Sequence, residues 1–123
     1  MTQHASLDAE RWSRFDLDQQ ILMLGNEMNR GLRFASGEPS EPLRRGYERV
    51  LRLVDLTAAT PLRRALRREL LRWRGVVAEL YLAEAVDQQA HRAALRALLL
   101  LRPAAARQIP LLPGCARSAQ PAR

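Results

Sequence analysis

A chain of 123 residues with a formal net charge of +7 is long enough to bury one hydrophobic core without disulfides or metals. All 20 basic residues are arginine, and the single cysteine, Cys115, excludes an internal disulfide framework and a cysteine-rich zinc site. The hydrophobic fraction of 47% is that of a folded chain, and no apolar run approaches the roughly 20 residues that span a bilayer.

The amino-terminal segment lacks the basic region and apolar core of a secretory signal, and a lone cysteine suits a reducing compartment. We therefore expect a soluble, cytoplasmic protein. The composition predicts a flexible arm over residues 1–6, a helical bundle over residues 7–109 and a disordered tail over residues 110–123, where Pro, Gly, Ser, Ala and Arg accumulate.

Positive charge is concentrated in the second half of the chain. Residues 1–37 carry four arginines and five acids, and residues 38–60 carry four of each. Residues 61–86 carry six arginines and three acids, and residues 87–123 carry six arginines and one acid. A GC-rich genome favours arginine codons and could explain the absence of lysine. Whatever its origin, a guanidinium group binds phosphate or carboxylate with two hydrogen bonds, so an anionic partner should be attracted to the second half.

The first helix is predicted from Asp16, which forms a capping-box pair with Gln19. Trp12 and Phe15 belong to the same helix or to a preceding turn, and we interpret both as core anchors. The inward face repeats at steps of four and three residues, which is the helical period: Leu17, Ile21, Leu24, Met28, Gly31 and Ala35. A glycine on that face indicates close approach of a neighbouring helix.

The second helix is predicted over residues 41–58, after a loop of small and polar residues at 36–40. Ser40 is its expected cap, and Pro42 lies in the first turn. Its inward face is predicted to consist of Leu43, Tyr47, Val50, Val54 and Thr57.

The third helix is predicted over residues 60–84, with Thr60 as its cap and Pro61 in its first position. Its apolar face comprises Leu62, Leu66, Leu70, Trp73, Val77 and Leu80. Six arginines occupy the remaining arc: Arg63, Arg64, Arg67, Arg68, Arg72 and Arg74. This helix should therefore have one face in the core and one strongly cationic face.

The fourth helix is predicted from a cap at Asp87 to Arg102, where Pro103 ends it or starts a new turn. Residues 98–101 are four consecutive leucines, which make this helix end apolar on every side. They require either a cover from Ile109, Leu111 and Leu112 or a contact with another subunit. Residues 103–109 could form a short fifth helix.

Four amphipathic helices joined by short connections predict an all-α fold, specifically an antiparallel four-helix bundle with a possible short fifth helix. Strand signals are lacking, since the sequence has no alternating β-branched runs and no Asn-Gly or Asp-Gly turns.

No catalytic or metal-binding motif is recognisable. The chain has no phosphate-binding glycine loop, no HExxH pair and no nucleophile elbow. A helical di-iron site needs Glu three residues before His, but Gln88 occupies that position before His91, and the other histidine is His4. We interpret His91 as a boundary histidine. Glu69, at the edge of the apolar face of the third helix, is a buried acid, half of an ion pair with an arginine of another helix, or a side chain that turns to the edge of the bundle.

The sequence therefore predicts a non-enzymatic, basic helical subunit that binds RNA or DNA backbone within a larger ribonucleoprotein-type assembly, with no cofactor and no metal. Because the aromatic residues fall mostly on core faces, recognition should be independent of base sequence. The predicted phosphate contacts are Arg63, Arg64, Arg67, Arg68, Arg72, Arg74, Arg92, Arg96, Arg102 and Arg107.

The alternative is a protein–protein adaptor or homo-oligomer without direct nucleic-acid contact. Arginine also suits interfaces with an acidic partner protein. The leucines that lie off the core faces, together with the leucine run, would then form the interface: Leu53, Leu56, Leu71, Leu98, Leu99, Leu100 and Leu101.

Overall fold

The computed structural model describes residues 9–111, and these form an all-α fold, as predicted. No strand occurs among the described residues. Residues 9–12 are helical, and short 3-10 helices follow at Leu32–Phe34 and Ile109–Leu111. The α-helices after residue 12 are α1 (Leu17–Gly31), α2 (Glu41–Ala58), α3 (Arg64–Leu82), α4 (Gln88–Leu99) and α5 (Pro103–Ala106).

The four long helices pack in a ring in which each contacts the next and α4 returns to α1. Neighbouring helices run in opposite directions. Between α2 and α3, for example, Arg74 reaches back to Asp55, whereas Tyr81 reaches further back to Glu48. The fold is therefore a helical bundle with α2 and α4 facing each other across the core.

Three of the four predicted helix starts are confirmed. Asp16 and Gln19 form a capping box in front of α1, with hydrogen bonds of 2.8 and 2.9 Å between each side chain and the other's backbone N–H. The side chain of Ser40 accepts from the N–H of Leu43, and that of Asp87 accepts from the N–H of Ala90. Each of these side chains satisfies a backbone donor that has no partner within its own helix.

The predicted start of the third helix is wrong. Helix α3 begins at Arg64, and its cap residue, Arg63, makes no side-chain capping bond. The Thr60 hydroxyl points the other way and donates to the carbonyl of Thr57, at the end of α2. Thr60 therefore closes one helix instead of opening the next, and α3 starts without a capping side chain.

The predicted core faces of α1 and α2 are confirmed. Ile21, Leu24, Met28, Gly31 and Ala35 are buried on the first, although Leu17 is only half-buried. All five predicted residues of α2 are buried: Leu43, Tyr47, Val50, Val54 and Thr57. On α3, the middle of the predicted face, Leu70, Trp73 and Val77, is buried, whereas its ends are half-buried.

Trp12 is a core anchor, as predicted, with 5% of its surface exposed. Its indole N–H donates to the Thr57 hydroxyl at 2.9 Å, which joins the helical turn before α1 to the end of α2. The Thr57 hydroxyl in turn donates to the carbonyl of Leu53. Both polar atoms of this buried contact are thus satisfied.

The leucine run at 98–101 is covered largely from within the chain. Leu98 and Leu99 are in the core, with 0% and 2% of their surfaces exposed. Ile109, which follows them in the sequence, is also buried, with 7% exposed. The predicted place of Leu98 and Leu99 in a subunit interface is therefore corrected, because the core of one chain already encloses both. Leu100 is 56% exposed, and Leu101 is half-buried.

The described residues allow only part of the predicted domain limits to be compared with the structure. The predicted fifth helix is present in shorter form as α5, followed by the turn that contains Ile109. Pro110 and Leu111, which belong to the predicted tail, lie in that turn. The predicted arm at 1–6 and the rest of the tail, including Leu112 and Cys115, lie outside the described residues. Among the described helices, none combines the length and the apolar character needed to cross a membrane.

Candidate nucleic-acid interface

Three arginines at the start of α3 are exposed and unpaired. Arg63, Arg64 and Arg68, here called the α3 arginine cluster, form no ion pair with any carboxylate of the described chain. The first turn of α3 contains no acidic residue and has no capping side chain. No side chain therefore caps its first backbone N–H groups, and the helix dipole adds to the positive charge of the cluster.

Arg67, also predicted to contact phosphate, has a structural role instead. Its Nε donates to the carbonyl of Ala58 at 3.1 Å, and its Nη2 donates to the carbonyl of Thr60 at 2.8 Å. These carbonyls belong to the end of α2 and the connection that follows it. One guanidinium group thus holds the α2–α3 connection in place, and its donors are only partly available to a ligand.

The two later arginines of α3 are paired with acids. Arg74 forms a two-bonded fork with the carboxylate of Asp55 on α2, at 2.7 and 3.1 Å. Arg72 donates to Glu69 at 2.7 Å, one turn earlier on the same helix. Glu69 is exposed at the edge of the bundle, which agrees with the third alternative. It is neither a buried acid nor paired between helices, because its ion pair with Arg72 lies within α3. These pairs neutralise much of the positive charge on the second half of α3.

The four arginines after α3 that were predicted to contact phosphate differ in burial and in their partners. Arg102 donates to Asp18 at 2.6 Å, and Arg96 also has an interaction within the molecule. Arg92 is half-buried, and its Nε atom is buried with no hydrogen-bond partner in the described chain. Arg107 is exposed and forms no ion pair with the described carboxylates. Only Arg107 among these resembles the α3 arginine cluster in its availability.

The topology places most of the unpaired arginines at one end of the bundle, here called the basic end. At this end α1 and α3 begin and α2 and α4 finish, and side chains join these segments directly: Trp12 to Thr57, Arg67 to Ala58 and Arg102 to Asp18. Residues 9–18, 58–68 and 100–111 carry eight arginines and three carboxylates. At the opposite end, residues 32–45 and 79–88 carry three arginines and five carboxylates. Positive charge is therefore in excess at one end of the bundle, and negative charge is in excess at the other.

The remaining predicted interface leucines lie on the surface to different degrees. Leu53, Leu56 and Leu101 are half-buried, whereas Leu71 and Leu100 are 45% and 56% exposed. Leu71 lies on the outer side of α3, one turn beyond Arg68 and Arg67.

The most prominent polar contact of the core was missed by the sequence reasoning. His91 is 1% exposed and lies between Tyr47 and Met28, so its interpretation as a boundary residue is wrong. Its Nε2 lies 2.7 Å from the carbonyl oxygen of Met28, and its Nδ1 lies 2.7 Å from the hydroxyl of Tyr47. Because a carbonyl only accepts, Nε2 carries the proton, and Nδ1 accepts from the tyrosine. A signal existed, since a tyrosine on a core face needs a buried partner.

This contact satisfies both groups in their neutral forms. Burial lowers the pKa of His91, the hydrogen bond to Met28 partly opposes that shift, and the charge of Arg92 lowers the pKa further. Burial, followed by the effect of the Asp87 carboxylate, raises the pKa of Tyr47 to about 12. The pair is enclosed in the core, where a substrate has no access, so we assign it to stability.

Within the described part of the chain, no three His, Cys, Asp or Glu side chains gather into a possible metal site. The comparisons with known proteins do not add a function to this geometry. No protein-family model matches the sequence, and neither a curated protein nor a solved structure is similar enough to match it.

Proposed function

We propose that the protein is a non-enzymatic helical subunit whose basic end binds the phosphate backbone of nucleic acid within a larger ribonucleoprotein-type assembly. The observation that carries this proposal is the excess of eight arginines over three carboxylates at one end of the bundle. A concentrated positive field of this kind attracts polyanions and orients them on approach.

The α3 arginine cluster is the centre of the proposed contact. Its three side chains project from a helix N-terminus whose free N–H groups and dipole also favour an anion. Guanidinium groups bind phosphate oxygens with two parallel hydrogen bonds. Arg107, at the same end, would extend the contact. Arg67, Arg72, Arg74 and Arg102 already bond within the chain, so they contribute less than the sequence predicted.

Binding should be independent of base sequence. Phosphate contacts position a nucleic acid but do not read its bases, which need side chains placed against base edges or faces. Trp12, Tyr47 and Trp73 are buried. The proposed surface is therefore a backbone-binding surface whose affinity depends strongly on salt.

The test is fluorescence anisotropy with labelled mixed-sequence DNA and RNA at about 50 mM salt, where contacts of this kind are strong. The triple variant R63Q/R64Q/R68Q should bind more weakly, and its plot of log affinity against log salt should flatten by about 0.9 per lost phosphate contact on duplex DNA. The matched control is R33Q/R44Q/R45Q, which removes the same charge from exposed arginines at the opposite end of the bundle, where Arg45 has an exposed ion pair with Glu41. Equal losses in the two variants, or no binding by the wild type at about 50 mM salt, would reject the proposal.

A protein–protein adaptor is the second candidate, and one observation favours it. Leu71 and Leu100 are 45% and 56% exposed, and a partner that covered them would remove this apolar surface from water. Light scattering of the wild type and of L71A/L100A over a wide concentration range tests self-association. A particle mass equal to one chain at every concentration would argue against a homo-oligomer.

A further inference from the structure

The outer side of α3 carries five residues that lie symmetrically about Gly75. At about 100° per residue, they fall within about 80° of the helix circumference, on the side opposite the buried face. These residues, here called the α3 outer strip, are Arg68, Leu71, Gly75, Glu79 and Leu82. All of them are exposed, Leu71 at 45% and Leu82 at 75%, so the described chain leaves the strip uncovered.

The glycine at the centre of the strip is not explained by the fold of a single chain. Glycine inside a helix costs about 1 kcal/mol relative to alanine. A Cβ at Gly75 would meet no atom within 4 Å, so no neighbouring element of the same chain requires its absence. A glycine on an outer helix face lets the backbone of another helix approach closely.

The two halves of α3, together with the turn after it, carry opposite charge. Residues 63–74 contain six arginines and one acid, whereas residues 75–87 contain three acids and no arginine. Of these acids, Glu79 and Glu84 form no ion pair with a described arginine. An antiparallel pair of α3 helices places the basic half of one beside the acidic half of the other, whereas a parallel pair places like charges together. The strip is therefore complementary to a second copy of itself in one orientation.

The spacing of the strip also fits an antiparallel register centred on Gly75. In that register each residue before Gly75 lies level with the residue equally far after it in the other copy: Leu71 with Glu79, and Arg68 with Leu82. The diagonal neighbours are then about 4.5 Å apart along the axis, at about 1.5 Å per residue. One diagonal joins Leu71 to Leu82, and the other joins Arg68 to Glu79. Both contacts occur twice, once on each side of the two-fold axis.

We propose that a second copy of this chain docks on the α3 outer strip with its own α3 antiparallel, forming a two-fold symmetric dimer. Leu71 of each copy covers Leu82 of the other, and Arg68 of each copy bonds to the Glu79 carboxylate of the other. Each copy contributes one helix face, so the interface is smaller than the roughly 800 Å² per partner of standard complexes, and the dimer is weak. Its formation needs no nucleic acid, although Arg68 also belongs to the α3 arginine cluster.

The test is sedimentation equilibrium of the protein at low salt and over a wide concentration range, without nucleic acid. We expect a reversible equilibrium between monomer and dimer. L82Q should weaken dimerisation about tenfold, because every dimer loses two apolar contacts. The control L100Q removes an exposed leucine at the end of α4 and should leave dimerisation unchanged. A mass of one chain at every concentration, or equal effects of L82Q and L100Q, would overturn the proposal.

Charge reversal tests the register. R68E and E79R should each weaken dimerisation about tenfold, because each places two pairs of like charges in every dimer. The double variant R68E/E79R keeps the net charge and restores opposite pairs, so it should dimerise like the wild type. The control R33E changes an exposed arginine that follows α1, across the bundle from α3, and should leave dimerisation nearly unchanged. A double variant no tighter than the single variants, or an R33E protein as impaired as R68E, would refute the assigned contact, whatever the outcome for nucleic acid.

Discussion

The hydroxyl of Tyr47 donates to Nδ1 of His91 over 2.7 Å, across the centre of the bundle and between residues 44 positions apart. The other ring nitrogen donates to the carbonyl of Met28, so three of the four long helices meet at one imidazole. Both hydrogen bonds need the neutral ring in a single tautomer. The stability of the bundle should therefore respond to the protonation state of His91.

We expect the protein to lose stability as the pH falls below about 6.5. The folded-state pKa of His91 lies below its ordinary value of 6.5, so the unfolded chain takes up a proton first. The contribution of His91 is complete above pH 6.5 and is lost as the pH falls through the folded-state pKa. Urea denaturation between pH 7.5 and pH 5 should show a falling midpoint.

The variant H91Q should flatten this pH dependence, because glutamine does not titrate. H4Q removes the other histidine and serves as the matched control. A wild-type midpoint that stays constant from pH 7.5 to pH 5, or a slope that H4Q removes and H91Q keeps, would contradict the assignment.

A methyl group at position 31 should destabilise the bundle. The Cβ of an alanine there would lie 3.1 Å from Cε1 of His91, and the two hydrogen bonds of that ring prevent it from moving aside cheaply. Gly75 on α3 is the control, since a Cβ there meets no atom within 4 Å. Overpacking costs about 1–3 kcal/mol, whereas alanine in an open helical position gains about 0.5–1 kcal/mol.

We therefore expect thermal unfolding to rank the variants as G75A, wild type and then G31A, from most to least stable. A G31A protein as stable as G75A would show that the imidazole yields and that its two hydrogen bonds do not fix it.

Substitution of two neighbouring leucines of α3, Leu70 and Leu71, by alanine should change the free energy of unfolding by very different amounts. Leu70 is fully buried, and L70A leaves a cavity that costs about 2–5 kcal/mol. Leu71 is 45% exposed, and L71A should change the free energy of unfolding by no more than about 0.5 kcal/mol. Urea denaturation measures both. A large loss in L71A would instead mean that a contact outside the single chain stabilises this position.

Substitutions of the adjacent residues Arg67 and Arg68 should have different effects, the first on the stability of the fold and the second on nucleic-acid binding. R67Q removes two bonds to the carbonyls of Ala58 and Thr60 and should cost about 1–2 kcal/mol, since bonds from a charged donor are stronger than neutral ones. R68Q has no such bond to lose, so it should leave the unfolding midpoint unchanged and weaken nucleic-acid binding. Urea denaturation measures the stability of both variants, and fluorescence anisotropy measures their affinity for nucleic acid. An R68Q protein with full affinity would remove Arg68 from the proposed interface.

Local signals in the sequence were sufficient for most helix limits and core faces. Ser40 and Asp87 cap helices because a short polar side chain bonds to N–H groups only two or three residues away, which the sequence shows directly. Thr60 misled the same reasoning, since its hydroxyl had a carbonyl of α2 within reach as an alternative partner. Periodicity likewise predicted the buried face of α2, because that face follows from the helical repeat alone.

The partners of the arginines could not be predicted, because they depend on how helices are placed side by side. Asp55 and Arg74 are 19 residues apart, and only the antiparallel packing of α2 and α3 joins them. For the same reason, the sequence showed six cationic side chains on α3 as equivalent. In the structure Arg67, Arg72 and Arg74 bond within the chain, whereas Arg63, Arg64 and Arg68 form no ion pair with a described carboxylate. The sequence also predicted His91 to lie at the boundary between core and surface, whereas the neighbouring helices enclose it.

The bonds from Trp12 to Thr57 and from Arg102 to Asp18 fasten the first and last parts of the described chain to the same end of the bundle. Any module fused before or after this bundle would consequently be tethered beside the α3 arginine cluster. A short tether of this kind gives a local concentration in the millimolar range. If the α3 arginine cluster binds nucleic acid as proposed, a weak nucleic-acid-binding segment attached on either side would act on the same strand, and the two contacts together would bind more tightly than either alone.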